Sequence, residues 1–292
     1  MPESLHVDAF FDSATATFSY LLMDPHTRAA AVIDSVLDFD PKSGRTRTES
    51  ADRIRMRAAE LQAELRWHLE THVHADHLSA APYLKQALGG DIAIGDKVLA
   101  VQETFGRVFN LGPEFARDGR QFDRLLKDGE RLALGSLSIE VIATPGHTPA
   151  CLSYCLQADG LRHVFVGDTL FMPDYGTARC DFPGGDAATL YRSIQRLLAL
   201  PPETRLYLCH DYPPAGRGPQ HLTTVQAERD GNIHVRAGVS EAEFAAMRSA
   251  RDATLAMPAL LLPSVQVNMR AGHFPEPEGN GVSYLKLPLN AL

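Results

Sequence analysis

The chain has 292 residues, a formal net charge of −8, and 45% hydrophobic and 22% charged residues. A chain of this length and composition buries a core without disulfides or a structural metal, so a metal site in it is expected to be functional. The acidic balance argues against nucleic acid as the main partner, because binding to phosphates requires a basic surface.

The cysteines and the first residues of the chain bear on its compartment. The four cysteines form no CxxC pair and are too few for a disulfide framework. Residues 1–11 carry no basic stretch followed by a long apolar run, and no segment is apolar enough to span a bilayer. We therefore expect a cytoplasmic protein without a membrane partner.

The first third of the chain alternates strands and helices. Short apolar runs separated by turn residues predict three strands, over residues 6–11, 17–23 and 29–34. The helical spacing of apolar side chains predicts a helix over residues 49–65. A strand over residues 65–70 then leads into a histidine-rich loop, and a helix over residues 79–88 is closed by Gly89 and Gly90.

The middle of the chain contains one irregular segment and two hairpins. Residues 96–127 predict a helix followed by an irregular excursion, and we interpret residues 101–127 as an insertion or a lid. Turn residues between apolar runs then predict two hairpins, whose paired strands span residues 131–134 with 137–143 and residues 151–156 with 162–166.

The last third is mainly helical. Apolar spacing predicts three helices and two strands, with the helices over residues 187–200, 222–229 and 240–257 and the strands over residues 205–209 and 265–269. Ser240 and Glu243 fit a capping box. Because adjacent hairpins are antiparallel, the order favours an α/β protein with two sheets and outer helices over one doubly wound sheet. We expect residues 1–292 to form a single domain, with residues 238–292 as a C-terminal extension.

Four potential metal ligands lie within six residues directly after a predicted strand: His72, His74, Asp76 and His77. Side chains at positions i and i+2 of an extended segment point to the same side, so His72 and His74 can converge on one ion. Asp76 and His77 follow where the chain turns toward a helix, and they can face a neighbouring point. Imidazole and carboxylate ligands together suit Zn, Fe, Mn or Ni, and they do not form a soft thiolate site.

Three further candidate ligands each stand at or just after the end of a strand. His147 follows a Pro-Gly turn, Asp168 closes a strongly apolar strand, and His210 follows a short buried strand. A carboxylate at the end of a buried strand is costly unless it is paired or binds a metal. Loops after strands carry chemistry on a rigid scaffold, so these residues are predicted to join the first four.

These motifs, in the order HxHxDH, PGHT, GD and a late histidine, resemble the metallo-β-lactamase superfamily. The resemblance spans about residues 18–210 and implies a four-layer αββα sandwich with the metals at one edge of its two sheets. Three segments resemble the persulfide dioxygenase (sulfur dioxygenase) branch more closely than the related glyoxalase II branch: ARCDF at residues 178–182, HDY at residues 210–212 and VNMR at residues 267–270.

The dioxygenase resemblance implies that His72, His147 and Asp168 hold one Fe(II) per chain. Two histidines and one carboxylate are the ligand pattern of non-haem iron oxygenases, which keep open positions for substrate and O2. The implied reaction converts glutathione persulfide, or another glutathione thiol derivative, with O2 and water to sulfite and glutathione. The other candidate ligands would then be hydrogen-bond partners around the iron.

The sequence also contains every ligand of a two-metal hydrolase. In this alternative, which resembles glyoxalase II, two triads and a bridging carboxylate hold a zinc or mixed-metal pair: His72, His74 and His147; Asp76, His77 and His210; and Asp168. The substrate would be a thioester such as S-lactoylglutathione. A third hypothesis is a non-catalytic metal-binding protein on the same fold, but the intact ligand set argues against it.

Three residues outside the metal motifs are candidates for substrate binding. Arg179 and Arg270 can pair with glutathione carboxylates, and Tyr212 can donate a hydrogen bond to the substrate. Cys180, beside Arg179, is interpreted as an inert buried thiol, because free cysteines are usually buried and unreactive. The family resemblance is also consistent with a homodimer.

Overall fold

The computed structural model describes residues 4–290, which form fifteen strands and seven helices. The strands are His6–Asp12 (β1), Thr17–Met23 (β2), Ala29–Ile33 (β3), Val36–Asp40 (β4), Arg45–Arg47 (β5), Glu64–Leu69 (β6), Leu78–Ser79 (β7), Asp91–Gly95 (β8), Arg124–Leu126 (β9), Arg131–Leu134 (β10), Leu137–Ala143 (β11), Leu152–Ala158 (β12), Leu161–Phe165 (β13), Arg205–Tyr207 (β14) and Leu222–Thr224 (β15). The helices are Glu49–Glu60 (α1), Ala81–Leu88 (α2), Val98–Val108 (α3), Ala187–Leu198 (α4), Val225–Gly231 (α5), Glu241–Asp252 (α6) and Leu261–Asn268 (α7).

Two six-stranded mixed sheets form the centre of the fold. The first has the strand order β1-β2-β3-β6-β8-β9, and the second has the order β10-β11-β12-β13-β14-β15. Antiparallel hairpins begin both sheets, whereas β3, β6, β8 and β9 run parallel because helices connect most of them. A smaller sheet, β5-β4-β7, lies beside them.

Apolar side chains define four layers. The inner faces of the two sheets share one core that includes Tyr20, Ile33, Val141, Tyr154 and Phe165. On the outside, α1 and α2 cover the first sheet, while α4 and α6 cover the second. Burying each large apolar side chain stabilises the fold by roughly 1.5–3 kcal/mol. The predicted αββα sandwich is confirmed.

Several local predictions match the structure residue for residue. The hairpin β10–β11 has the predicted bounds, and Ser240 and Glu243 form the predicted capping box at the start of α6. The Ser240 side chain accepts from the Glu243 backbone N–H, and the Glu243 carboxylate accepts from the Ser240 backbone N–H. All four cysteines are free and buried.

The predicted strand over residues 265–269 is wrong, because these residues belong mainly to α7. Val265 and Val267 alternate as in a strand, but both are buried because the helix is covered on most of its surface. Pro263 lies in the first helical turn, where a missing N–H breaks no helical hydrogen bond.

Other boundaries also differ from the predictions. The helix predicted over residues 49–65 ends at Glu60, because Gln62 adopts a positive φ of 53° that breaks the helical path. Residues 222–229 begin with β15 before α5 starts. The strands β4, β5, β7, β8 and β9 were not predicted, and the helix predicted from residue 79 begins at Ala81 instead.

The segment predicted as an insertion or a lid contains most of α3, an irregular stretch and β9. Its aromatic side chains pack with α7 in one apolar cluster that includes Phe105, Phe109, Phe115, Phe122 and Val265. The interpretations of residues 101–127 as a lid and of residues 238–292 as an extension stay predictions. Within residues 4–290, no helix has both the length and the apolar character that crossing a bilayer requires.

Candidate metal centre

The candidate ligands converge where the two sheets meet along one edge. The loops after β6, β11, β13 and β14 carry all seven of them: His72, His74, Asp76, His77, His147, Asp168 and His210. Backbone hydrogen bonds join the sheets at this edge, with Leu152 N donating to Thr71 O at 2.9 Å and Phe18 N donating to Cys209 O at 2.7 Å. The sandwich therefore holds loops from distant parts of the chain in one place.

A buried carboxylate fixes the first two histidines. Asp34 follows β3, and its Oδ1 lies 2.9 Å from His74 Nε2, so the opposite ring nitrogen, Nδ1, is the free one. Asp34 Oδ2 accepts from the Thr71 hydroxyl at 2.8 Å, and that hydroxyl lies 3.0 Å from His72 Nδ1. His72 therefore keeps Nε2 free. Such bonds set the tautomer and orientation of metal-binding histidines.

His147 is held by a backbone carbonyl and by the turn before it. Its Nδ1 lies 2.7 Å from Arg179 O, which leaves Nε2 to face the centre. Gly146 has a φ of 139°, and a Cβ there would overlap the backbone of Leu190 in α4. Only glycine therefore permits the chain to pass this close to α4 and present His147.

Asp168 lies between two groups of ligands. Its Oδ2 is 3.9 Å from His72 Nε2 and 3.6 Å from His147 Nε2. Its Oδ1 is 3.3 Å from His210 Nε2, which in turn lies 3.1 Å from Asp76 Oδ2. Each carboxylate oxygen thus faces a different group of candidate ligands.

His77 and His210 are anchored to the N-terminal hairpin, β1–β2. His210 Nδ1 lies 3.3 Å from Ala16 O, and His77 Nδ1 lies 3.4 Å from Thr17 Oγ1. Both rings consequently keep Nε2 free. The turn between β1 and β2 and the first residue of β2 therefore orient candidate ligands whose sequence positions are 60 or more residues away.

Buried ligand atoms that lack a hydrogen-bond partner indicate whether a metal fits this site. Six candidate ligand atoms are buried without a hydrogen-bond partner among the described residues: His72 Nε2, His74 Nδ1, Asp76 Oδ2, His77 Nε2, Asp168 Oδ1 and His210 Nε2. Unpaired buried polar atoms are costly and rare in folded proteins, so their clustering needs an explanation. Metal coordination supplies it, because nitrogen and carboxylate oxygen are the ligands that Zn and Fe prefer.

Burial also shifts the pKa values of the candidate ligands. Burial lowers the pKa of His72 and His74 well below the ordinary histidine value, so both rings are neutral and able to coordinate. Burial also raises the pKa of Asp168. A bound cation would offset the raised pKa of the carboxyl, because it stabilises a buried carboxylate, and it would bind the neutral imidazoles that burial favours.

A cavity of about 380 Å³ opens onto Asp76, His147 and Asp168. Apart from these ligands, its lining combines aromatic and polar side chains suited to a small organic substrate: Phe171, Phe182, Thr15, Tyr175, Tyr212 and Arg251. Tyr212 is 38% exposed, and desolvation together with the neighbouring Asp76 and Asp168 raises the pKa of its phenol, which is protonated and able to donate a hydrogen bond at neutral pH.

The structure separates the three predicted substrate residues. Tyr212 lines the cavity beside the metal centre. Arg179 also lines it, but its guanidinium is held by Asp181 at 2.6 Å and by Ala256 O at 2.7 Å. Arg270 lies apart, over the ring of Phe115 in a different cavity, and is not brought to the metal centre. The substrate roles of all three stay predictions.

Sequence reasoning assigned no site role to three residues that the structure places at or around the site. Asp34 ends a buried strand, which is the same pattern that identified Asp168. Arg251 reaches the cavity from α6, and Asn268 reaches the metal-binding loop from α7. Arg251 carries no local signal for such a contact, and Asn268 was noted only within the VNMR segment that resembles the dioxygenase branch.

Comparison with known proteins agrees with this site. Residues 14–210, which contain all seven candidate ligands, match the model of the metallo-beta-lactamase superfamily. The match covers more than half of the chain, and the chain therefore belongs to this superfamily. Its histidine and aspartate clusters are candidate metal sites of a metal-binding enzyme.

Relatives of three kinds align over most of the chain. A Burkholderia pseudomallei protein named "Probable metallo-hydrolase" is 64% identical, over 98% of this chain and 99% of its own. A Dictyostelium discoideum protein named glyoxylase B2 is 49% identical, over 100% of this chain and 99% of its own. The human mitochondrial persulfide dioxygenase ETHE1 is 30% identical, over 90% of this chain and 87% of its own.

A solved structure extends the comparison to three dimensions. The crystal structure of ETHE1 from Myxococcus xanthus superposes with a TM-score of 0.71 and 32% identity. The match covers 92% of this chain and 100% of that one. The names of the relatives at 64% and 49% identity therefore differ from the names of those near 30%.

Proposed function

We propose that the protein is a metallohydrolase that uses two metal ions to cleave a thioester of a small anionic thiol such as glutathione. The position of Asp168 carries this proposal. Its two oxygens face two separate groups of ligands, and five neighbouring ligands each present a buried atom with no hydrogen-bond partner among the described residues.

The ligand set divides into two triads around one bridge. His72, His74 and His147 would hold one ion, Asp76, His77 and His210 would hold the other, and Asp168 would bridge them. When bound, such a pair of ions acts as a Lewis acid and generates a nucleophile from water at neutral pH. The chain's own contribution is to fix the ligand rings through Asp34, Ala16 O and Arg179 O.

The cavity supports an anionic substrate with an acyl group. Three guanidinium groups line it, but Arg179 is paired with Asp181 and Arg248 is paired with Asp252. Arg251 forms no ion pair within the part of the chain that the structure describes, so it is available to a substrate carboxylate. Phe171 and Phe182 line the same cavity and suit the apolar part of the substrate.

The names of the relatives at 64% and 49% identity support the hydrolase proposal over the dioxygenase. The relative at 64% identity is named a metallo-hydrolase, and the one at 49% is named glyoxylase B2. Both align with almost the entire chain and with almost their own entire length.

An assay of the two chemistries tests the proposal. The full chain, loaded with Zn²⁺ or Fe²⁺, is given S-lactoylglutathione, and free thiol release is followed together with O2 concentration. We expect thiol release without O2 uptake, and we expect Asp168→Ala to lose it at least 100-fold because both metal groups lose their shared ligand. Absence of thiol release from the metal-loaded parent would overturn the proposal.

A second candidate function is iron-dependent oxidation of glutathione persulfide by O2. The observation that favours it is the compact set of His72, His147 and Asp168, whose ligand atoms lie within 4.8 Å of one another. Two histidines and a carboxylate match the ligand pattern of non-haem Fe(II) oxygenases. The similarity to ETHE1 near 30% identity supports it as well.

The same assay separates the two candidates. Addition of glutathione persulfide to the iron-loaded chain should leave O2 unchanged if the protein is only a hydrolase. Consumption of O2 with formation of sulfite, without thioester cleavage, would select the dioxygenase. The homodimer and the cytoplasmic compartment stay predictions under either candidate.

A further inference from the structure

We infer that Asn268, at the C-terminal end of α7, is a positioning residue that sets the metal affinity of the centre by clamping the ligand loop, which is residues 70–77 between β6 and β7. The inference rests on the presence of a metal centre and not on which reaction it performs. Asn268 lies beyond residues 14–210, the segment that matches the superfamily model. Its effect would therefore be contributed by the C-terminal part of the chain.

Within residues 4–290, the Asn268 side chain forms three hydrogen bonds, two with the ligand loop and one with β7 directly after it. Its Nδ2 donates to His74 O at 2.9 Å and to His77 O at 2.7 Å, and its Oδ1 accepts from Ser79 N at 2.8 Å. Carbonyl oxygens only accept and a backbone N–H only donates, so these partners fix which end of the amide faces which group.

The two carbonyls belong to ligands of different triads. His74 lies in the first proposed group and His77 in the second, so one side chain restrains the backbone of both. Asn268 is 4% exposed, and within residues 4–290 no other hydrogen bond to His74 O or His77 O replaces these contacts. Because ligand rings must hold their geometry before a metal binds, loss of the clamp should weaken metal binding.

The turn after α7 allows the end of this helix to pack closely against the segment that follows the ligand loop. Gly272 has a φ of 84°, and a Cβ there would lie 2.6 Å from Pro82 Cδ and 2.9 Å from Ser79 O. Any larger residue would push the end of α7 away from the loop. Glycine at this position therefore permits the approach that Asn268 requires.

The same helix offers a matched control. Gln266 is also a buried amide with three hydrogen bonds, but its partners are Leu262 O and the backbone of Lys286 in the C-terminal segment. Its bonds do not reach the ligand loop. Gln266→Ala therefore removes the same number of bonds from α7 as Asn268→Ala while leaving the loop contacts in place.

Zinc retention by the loaded full-length protein tests the inference. Protein loaded with Zn²⁺ is titrated with a competing chelator, and the apparent Kd for Zn²⁺ is compared among the parent, Asn268→Ala, Asn268→Asp and Gln266→Ala. Asn268→Asp has almost the same size and keeps an acceptor for Ser79 N, but it has no N–H for the two carbonyls.

We expect both Asn268 variants to raise the Kd for Zn²⁺ about 10- to 100-fold, as loss of an outer ligand contact does. Gln266→Ala should stay within about twofold of the parent, even if its thermal stability falls. A Kd for both Asn268 variants within twofold of the parent, or an equal weakening in Gln266→Ala, would overturn the inference. If Asn268→Ala does not fold, Asn268→Asp alone decides. Zinc retention is independent of the reaction, so failure of the hydrolase proposal would leave this test intact.

Discussion

The Oδ1 atom of Asp34 lies 2.9 Å from Nε2 of His74, and this contact turns the other ring nitrogen of His74 toward the metal centre. Among the histidines of the centre, His74 alone presents Nδ1 as its unpartnered atom, whereas His72, His77 and His210 present Nε2. The same carboxylate reaches His72 through the hydroxyl of Thr71. One buried side chain therefore orients two ligands of the first triad.

Asp34→Ala is expected to weaken metal binding about 10- to 100-fold, because both histidines lose the group that fixes their tautomers. The measurement is the metal content of the protein after dialysis against graded chelator. Asp38→Ala is the control, since Asp38 binds the backbone and side chain of Ser50 outside the centre. Equal metal retention in the two variants would contradict the role given to Asp34.

Arg251→Ala is expected to raise KM for an anionic thioester about 10- to 100-fold while kcat changes little. A hydrogen bond to a charged group contributes about 1.5–3 kcal/mol, and removing a contact made equally in ground and transition states raises KM. Arg251→Lys should recover part of the affinity, because it restores the charge but not the two-pronged geometry. Initial rates across substrate concentrations give both constants.

Arg66→Ala is the matched control for this prediction, because Arg66 pairs with Glu64 on an exposed part of β6 away from the cavity. An unchanged KM in Arg251→Ala, or an equal rise in Arg66→Ala, would remove Arg251 from the substrate site.

The ligand positions were open to prediction because each carries a local signal. His72, His74, Asp76 and His77 occupy one short loop, and Asp168 closes a visibly apolar strand. The sequence also placed Asp34 at a strand end, but nothing local shows that its partner lies 40 positions later. Which nitrogen of His74 faces the centre depends on that contact, so it could not be predicted.

Glu228→Gln is expected to stabilise the protein at pH 8 by roughly 1–3 kcal/mol and to have little effect near pH 4.5. Burial raises the pKa of Glu228 to about 8 from an ordinary value of 4.5, so the folded protein binds a proton that the unfolded chain has released. The free energy of unfolding therefore falls as pH rises from 4.5 to 8, and glutamine removes this slope.

Thermal or urea unfolding at several pH values measures this effect. Glu203→Gln serves as the control, because Glu203 lies exposed in a turn and should leave the pH profile unchanged. The prediction fails if the parent and Glu228→Gln show parallel stability profiles between pH 5 and 8.

The C-terminal contribution was beyond sequence reasoning for a physical reason. The alternation of Val265 and Val267 favoured a strand, whereas packing on most sides made the segment a helix. In a strand, Asn268 would have no defined relation to the loop at residues 74–79. Its contacts span 189 or more positions in the sequence, and only the tertiary structure reveals them.

Two metal ions are proposed to act together in hydrolysis, and a titration of activity against metal content distinguishes one bound ion from two. Metal-free full-length protein receives increasing Zn²⁺ or Fe²⁺, and bound metal, thioester cleavage and O2 uptake are measured on the same samples. We predict that cleavage rises until two ions are bound per chain and that O2 is not consumed. The two-metal proposal would be contradicted if the protein with one bound iron consumed O2 at its maximal rate with glutathione persulfide and did not cleave the thioester.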